Sequence, residues 1–304
     1  MPLHPQARMF LMNLAALGRP PWEDMPVAEA RETFNSLEQA FGDGPEMASI
    51  SNQTAGDVAV RIFRPKGNPV GVIVYFHGGG WVLGNLDTHD TLCRRIAKES
   101  NSTVVAVDYR LSPVHRDPAA LDDCYLATEW VSQNLAELGV PDGQLVVAGD
   151  SAGGNLAAAV SLRARDQKAF EIALQVLIYP VIEPHFETES YTAFAEKHGL
   201  TRKTMQWFWE QYLGPQSTAV EYAVPSNCEL QGVAAAHVVT AEFDVLRDEG
   251  ESFAEKLTAA GVPTTTKRYD GMLHGFLHFA GVFDDGYEAA IELGDVVRTA
   301  LKRS

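Results

Sequence analysis

Cysteine is scarce in this 304-residue chain: Cys93, Cys124 and Cys228 are widely spaced and odd in number. They form neither a disulfide framework nor a CxxC metal knuckle, and they fit a reducing compartment. No apolar run approaches the ~18–20 residues that a membrane span needs. Positive charge is short as well, with 24 Lys and Arg against 40 Asp and Glu and a formal net charge of −16. A phosphate backbone or an anionic membrane would be repelled by that balance, so neither nucleic acid nor membrane is expected as a partner. Internal repeats and low-complexity tracts are absent. With 46% apolar and 21% charged residues, the composition is that of an ordinary globular chain. A chain of this length buries roughly 75% of its unfolded surface without staples.

Residues 9–18 resemble a short signal-peptide core, but Asn13 interrupts them and no small-x-small cleavage site accompanies them. Leu3, Ala7, Phe10, Leu11, Leu14 and Leu17 recur at helical spacing instead. An amphipathic helix and a cytoplasmic protein are therefore expected. Further on, short apolar runs alternate with helical stretches. The runs at 72–76, 103–108, 145–148, 174–179, 237–240 and 264–269 read as strands. Between them, 88–100, 119–134, 152–165 and 248–260 read as helices. The alternation predicts an α/β fold: a mostly parallel sheet with helices on both faces. Residues 57–63 alternate polar and apolar, as a half-exposed antiparallel edge strand does. Two segments stand outside this pattern, about 1–45 and about 185–215. Both are expected to form a helical cap on a single domain spanning residues 1–304.

Gly149-Asp150-Ser151-Ala152-Gly153 is a G-x-S-x-G placed directly after a strand and before a helix. That setting is the nucleophile elbow, where a side chain on either flanking glycine would strike backbone. The following helix turns its positive end toward Ser151. His77-Gly78-Gly79-Gly80-Trp81 follows another strand, and its glycines allow backbone N–H groups to converge on a developing oxyanion. Of nine histidines, His274 lies on a loop beyond the last strand and is the candidate base. His278 is placed in a following helix, packed or solvated, and His77 is assigned to holding its own glycine loop. Asp244 ends a strand between Ser151 and His274 in chain order, and is the candidate orienting acid. Asp248 and Glu249 read as first-turn helix acids, Glu242 as pointing elsewhere, and Asp150 as structural.

Together HGGGW at 77–81, DYRL at 108–111, GDSAGGN at 149–155, YP at 179–180, DVLRDEG at 244–250 and GMLHGF at 271–276 resemble the bacterial hormone-sensitive-lipase-like esterases of the α/β-hydrolase superfamily. The match runs from about residue 57 to the C-terminus. It implies hydrolysis of short- to medium-chain carboxylic esters with no cofactor and no metal. Ser151 would be nucleophile, His274 base and Asp244 acid. The backbone amides of Ala152 and of Gly78, Gly79 and Gly80, the last two foremost, would form the oxyanion hole. The resemblance also allows a homodimer. One departure stands out: the family's A-P-E-H-P-F-P is replaced here by residues 112–118, SPVHRDP, so Val114 stands where an acid is usual.

Trp81, Trp209 and Phe276 are the candidate pocket residues. Met205, Phe208, Trp209 and Tyr212 share one helical face, a pattern that more often marks packing than a substrate wall. A neutral His274 is required, so activity should fall as pH drops through the ordinary imidazole range, about 6.5. An amidase, lactonase or deacetylase with the same three residues, and a non-catalytic small-molecule receptor on the same scaffold, remain open alternatives.

Overall fold

The computed structural model describes residues 2–37, 41–215 and 221–302. Part of the expected N-terminal segment, residues 1 and 38–40, therefore lies outside the described residues, as do 216–220 and 303–304. Eight strands form one sheet among the described residues: β1 (Ser49–Ala55), β2 (Val58–Arg64), β3 (Val72–Phe76), β4 (Thr103–Val107), β5 (Leu145–Asp150), β6 (Leu174–Ile178), β7 (Ala236–Phe243) and β8 (Thr264–Leu273). Their spatial order is β1-β2-β4-β3-β5-β6-β7-β8. The β1–β2 and β2–β4 pairs are antiparallel and the other pairs parallel. The six expected parallel strands are present, and so is the antiparallel strand over 57–63, but as β2 it is not the expected edge: β1, with its exposed polar sequence, pairs outside it.

Period-2 side-chain alternation divides the apolar runs between two cores. On β3, Ile73 and Tyr75 join one core, with Val72, Val74 and Phe76 in the other. Helices α3 (Asp90–Ser100) and α9 (Asp284–Ala300) cover the first face through Leu92, Ile96, Leu293 and Val297. Helices α4 (Ala119–Gln133), α5 (Ala152–Gln167) and α8 (Arg247–Ala259) cover the second through Leu121, Leu156 and Phe253.

The N-terminal segment holds α1 (Pro5–Ala16), a short 3-10 turn (Trp22–Asp24) and α2 (Val27–Asn35). Pro5 opens α1, where a missing N–H costs nothing. The second excursion holds α6 (Glu189–Ala193) and α7 (Arg202–Leu213). Thr201 caps α7 by accepting from the Thr204 amide at 3.0 Å, and Gly214 ends it at φ +75°. The two excursions meet where Thr204 Oγ1 donates to Glu23 Oε2 at 2.8 Å. Arg31 of α2 reaches down to the Val82 and Ser112 carbonyls at 2.9 and 3.0 Å.

His278 departs from expectation. It lies in a run of turns over residues 274–282, not in a helix, and it is packed, with Phe41 stacked on its ring at 4.2 Å. Val114, standing where the family's acid is usual, is 71% exposed, and its apolar side chain offers no hydrogen bond.

Candidate active site

Every candidate catalytic side chain sits beyond the carboxyl end of a parallel strand, where the crossovers of an open sheet leave a crevice. Ser151 follows β5 and adopts φ +55°, ψ −119°, a conformation L-residues rarely take and the signature of a strained elbow. Its neighbours permit nothing larger than glycine. A Cβ on Gly149 would lie 2.2 Å from the Gly153 carbonyl oxygen, and one on Gly153 would lie 1.9 Å from that of Phe76. Asp244 follows β7 and His274 follows β8. Asp244 Oδ1 accepts from the Leu246 amide at 3.0 Å, which leaves Oδ2 to accept from His274 Nδ1 at 2.7 Å. A carboxylate only accepts, so the proton rests on Nδ1 and Nε2 offers its lone pair. Ser151 Oγ stands 3.0 Å from that Nε2. The structure thus brings Ser151, His274 and Asp244 into one hydrogen-bonded chain.

The glycine loop faces the serine. Among the described residues, the Gly79, Gly80 and Ala152 amides have no acceptor. Gly78 is a correction: its N–H is taken by Asp150 Oδ1 at 3.0 Å and so is lost to an oxyanion. His77 behaves as expected. Its ring stacks on Tyr109 at 4.1 Å, and the Tyr109 hydroxyl donates to the His77 carbonyl at 2.7 Å. Burial pushes the His77 imidazole down to about 3, so it stays neutral.

A model of the alpha/beta hydrolase fold matches residues 73–278. The chain belongs to the α/β-hydrolase fold family. Within it, the relatives are hormone-sensitive-lipase-like esterases. A carboxylic ester hydrolase of Mycobacterium tuberculosis is 38% identical over 260 residues, covering 82% of this chain and 69% of its own. An ethyl acetate hydrolase of Pseudomonas putida is 31% identical, covering 99% of this chain and 100% of its own. The solved hyperthermophilic esterase of the archaeon Pyrobaculum calidifontis superposes with a TM-score of 0.92 at 39% identity, covering 98% of this chain and 99% of that one.

In this α/β-hydrolase a cavity of about 150 Å³ opens onto Ser151. Its walls are apolar and come largely from the two excursions: Phe10, Leu14, Trp22 and Phe34 from one, Leu200 and Phe208 from the other. The expected pocket residues are a second correction. Trp81 lies fully buried beneath α7, stacked on Tyr212 at 4.1 Å and 4.8 Å from the Trp209 ring. Trp209 packs there with it, and Phe276 is buried against Tyr179 and Tyr269. None of the three lines the cavity. On α7 the apolar stripe is indeed packing, except that Phe208 also reaches the cavity. A wider surface cleft of about 1170 Å³ includes Arg61, Asp90 and Arg94, which pair with one another; it is lined by none of the expected site residues.

Glu242 and Glu249 hold backbone rather than the base. Glu242 Oε2 accepts from the Gly271 amide at 2.7 Å, and Glu249 Oε1 from the Ile182 amide at 2.6 Å. Burial raises the Glu249 carboxyl well above its usual range. That exceeds the dipole role expected of a first-turn acid.

On the polar side of the cavity lining, His89, Asp150 and His278 bring potential metal-ligating atoms within 4.8 Å of one another. They fit a hydrogen-bonded cluster better than an ion. The His89 and His278 rings stack 4.1 Å apart at 11°, so their in-plane lone pairs run side by side rather than converging. His278 Nε2 already donates to the Thr88 carbonyl at 2.8 Å. Sequence reading passed over His89, whose setting in LDTHD carries no motif of its own. The apolar walls were equally unreadable, since six residues from two distant segments meet only in the fold.

Proposed function

We propose that the chain is a serine carboxylesterase that hydrolyses short- to medium-chain esters of small molecules through an acyl-enzyme. The observation that carries this reading is the continuous chain Asp244–His274–Ser151 beside three unengaged amides. As Ser151 attacks the ester carbonyl, its proton passes to His274 Nε2. Asp244 holds the ring and stabilises the imidazolium that forms. The amides of Gly79, Gly80 and Ala152 receive the oxyanion, each such donor contributing about 2.7–4 kcal/mol to the transition state. His274 then protonates the leaving alcohol, and the same imidazole activates water for deacylation. No step calls for a cofactor.

The cavity supports small acyl or alcohol groups, because about 150 Å³ of apolar space holds roughly one benzene-sized group. Residues 2–37 and 185–215 act as the cap of a single domain. The free Cys93, Cys124 and Cys228 support a reducing, cytoplasmic setting. An unbroken Ser151–His274–Asp244 chain weighs against a receptor that has lost its chemistry. The test is Ser151→Ala assayed on p-nitrophenyl acetate, butyrate and octanoate. Turnover should fall by about 10³-fold or more, and labelling by a fluorophosphonate should vanish. Undiminished turnover in that variant overturns the reading.

A further inference from the structure

Asp150 occupies an unusual position. It precedes Ser151 in the chain, yet its carboxylate points at the other catalytic loop. Oδ1 accepts from the Tyr75 hydroxyl at 2.7 Å and from the Gly78 amide at 3.0 Å. The approach is close enough that a Cβ on Gly78 would lie 2.3 Å from Oδ2. One buried carboxylate therefore ties the backbone of the nucleophile to the first glycine of the loop that offers Gly79 and Gly80. His89 stands beside it: Nε2 accepts from the Gly78 amide at 3.3 Å and lies 3.4 Å from Asp150 Oδ1, while the Thr88 hydroxyl, whose proton goes to the Asn85 carbonyl, leaves the ring proton on Nδ1. The opposite edge of the ring is fixed by Thr88 Oγ1 at 2.9 Å from Nδ1, and its face by the His278 stack. All three groups are buried, so water does not compete for these contacts.

We propose that His89 is a positioning residue for ester hydrolysis. By accepting at Nε2 from the Gly78 amide, which Asp150 also holds, it sets the distance between Ser151 and the oxyanion donors of Gly79 and Gly80. Without the imidazole the Gly78 amide would be held by the Asp150 carboxylate alone and would follow it as it swings. That motion moves the donors relative to the serine, and a misplacement near 1 Å costs about a hundredfold in rate. Burial alone would raise the Asp150 carboxyl, but its contacts with His89 and with the Tyr75 hydroxyl hold it below the usual range.

The proposal rests on the esterase reading, and its test separates the two. His89→Phe keeps a ring against His278 but removes the acceptor, whereas His89→Gln places an amide oxygen near Nε2 and gives up the ring. With p-nitrophenyl acetate, His89→Phe should lower kcat by about tenfold to a hundredfold with KM within about threefold, and His89→Gln should recover most of the loss. Amide hydrogen exchange over residues 78–80 should quicken in His89→Phe and return toward wild type in His89→Gln. This second readout needs no turnover, so it judges the positioning role even if the protein hydrolyses no ester. Wild-type kcat together with unchanged exchange in His89→Phe overturns the proposal. So does a His89→Gln variant as impaired as His89→Phe, because the ring's packing and not its hydrogen bond would then matter.

Discussion

The floor and the roof of the cavity are built on different physics. The floor is backbone against backbone: the elbow at Ser151 and the loop at residues 77–81 approach so closely that glycine alone fits at 149 and 153. Buried hydrogen bonds among Tyr75, Gly78, His89 and Asp150 hold it, and the Gly79, Gly80 and Ala152 amides are left facing the serine. Side chains make the roof, and its two parts differ in turn. Helix α7 buries Met205, Phe208, Trp209 and Tyr212 and is locked to the floor through the Trp81–Tyr212 stack. Helix α1 buries Ala7 alone and leaves Met9 and Met12 more than half exposed, while lending Phe10 and Leu14 to the cavity. A floor of this kind fixes which reaction can occur. A roof held by a few apolar side chains is free to set which group fits.

Gly153→Ala is the harshest way to break this contrast. The new Cβ would meet the Phe76 carbonyl oxygen at 1.9 Å, with no flexible side chain to yield. Strand β3 or the elbow must move, and with it the distance from Ser151 to the loop. Activity should fall at least about a hundredfold, together with the folded yield seen by circular dichroism. A variant with wild-type kcat/KM would mean that the floor is more pliant than its packing implies.

Within the roof, Trp209→Ala and Leu14→Ala should separate anchoring from selection. Trp209 is 3% exposed and lies off the cavity, so its loss should cost about 3–5 kcal/mol in urea unfolding. The order of p-nitrophenyl ester preference should stay as it was. Leu14 lines the cavity from a loosely held helix, so its truncation should cost less stability. Preference should then move toward longer acyl chains by about tenfold. Reversed outcomes would make α7 the selecting wall and α1 the anchor.

The same contrast governs how much could be read beforehand. The floor is local: a β-branched run, a G-x-S-x-G or three glycines, then a helix, all within a few residues of one another. The parallel strands, the Ser151–Asp244–His274 chain and the role of His77 were legible for that reason. Strand β1 was not, because its sequence SISNQTA is an edge strand exposed along nearly its whole length, with no alternation to mark it. Helix α9 carries a readable apolar stripe at Ala289, Leu293 and Val297, which motif-centred reading passed over. The error at Gly78 was chemical. Three successive glycines look equally free until Asp150 takes the first amide. Trp81 and Phe276 were misjudged because nearness in sequence to the catalytic loops was taken for nearness to the substrate, whereas α7 and the sheet bury both.

The smallest effect concerns acid stability and belongs to the floor. Burial pushes the His278 imidazole down to about 3, as it does for His77. In the unfolded chain such a ring titrates near 6.5. As pH falls below about 6.5 the unfolded state takes up a proton that the folded state refuses. The stabilisation is therefore complete above 6.5 and is lost progressively toward pH 3, by up to about 1.4 kcal/mol per pH unit for each such histidine. His278→Phe keeps an aromatic ring between Phe41 and His89 but gives up the 2.8 Å bond to the Thr88 carbonyl. At pH 8 it should cost about 1 kcal/mol. By pH 5 the wild type will have lost about 2 kcal/mol that the variant keeps, so the deficit should vanish or reverse. Urea unfolding at the two pH values measures this directly. A deficit that is the same at both would show that His278 takes up its proton in the folded state, and that the floor carries a charge its packing has no room to hydrate.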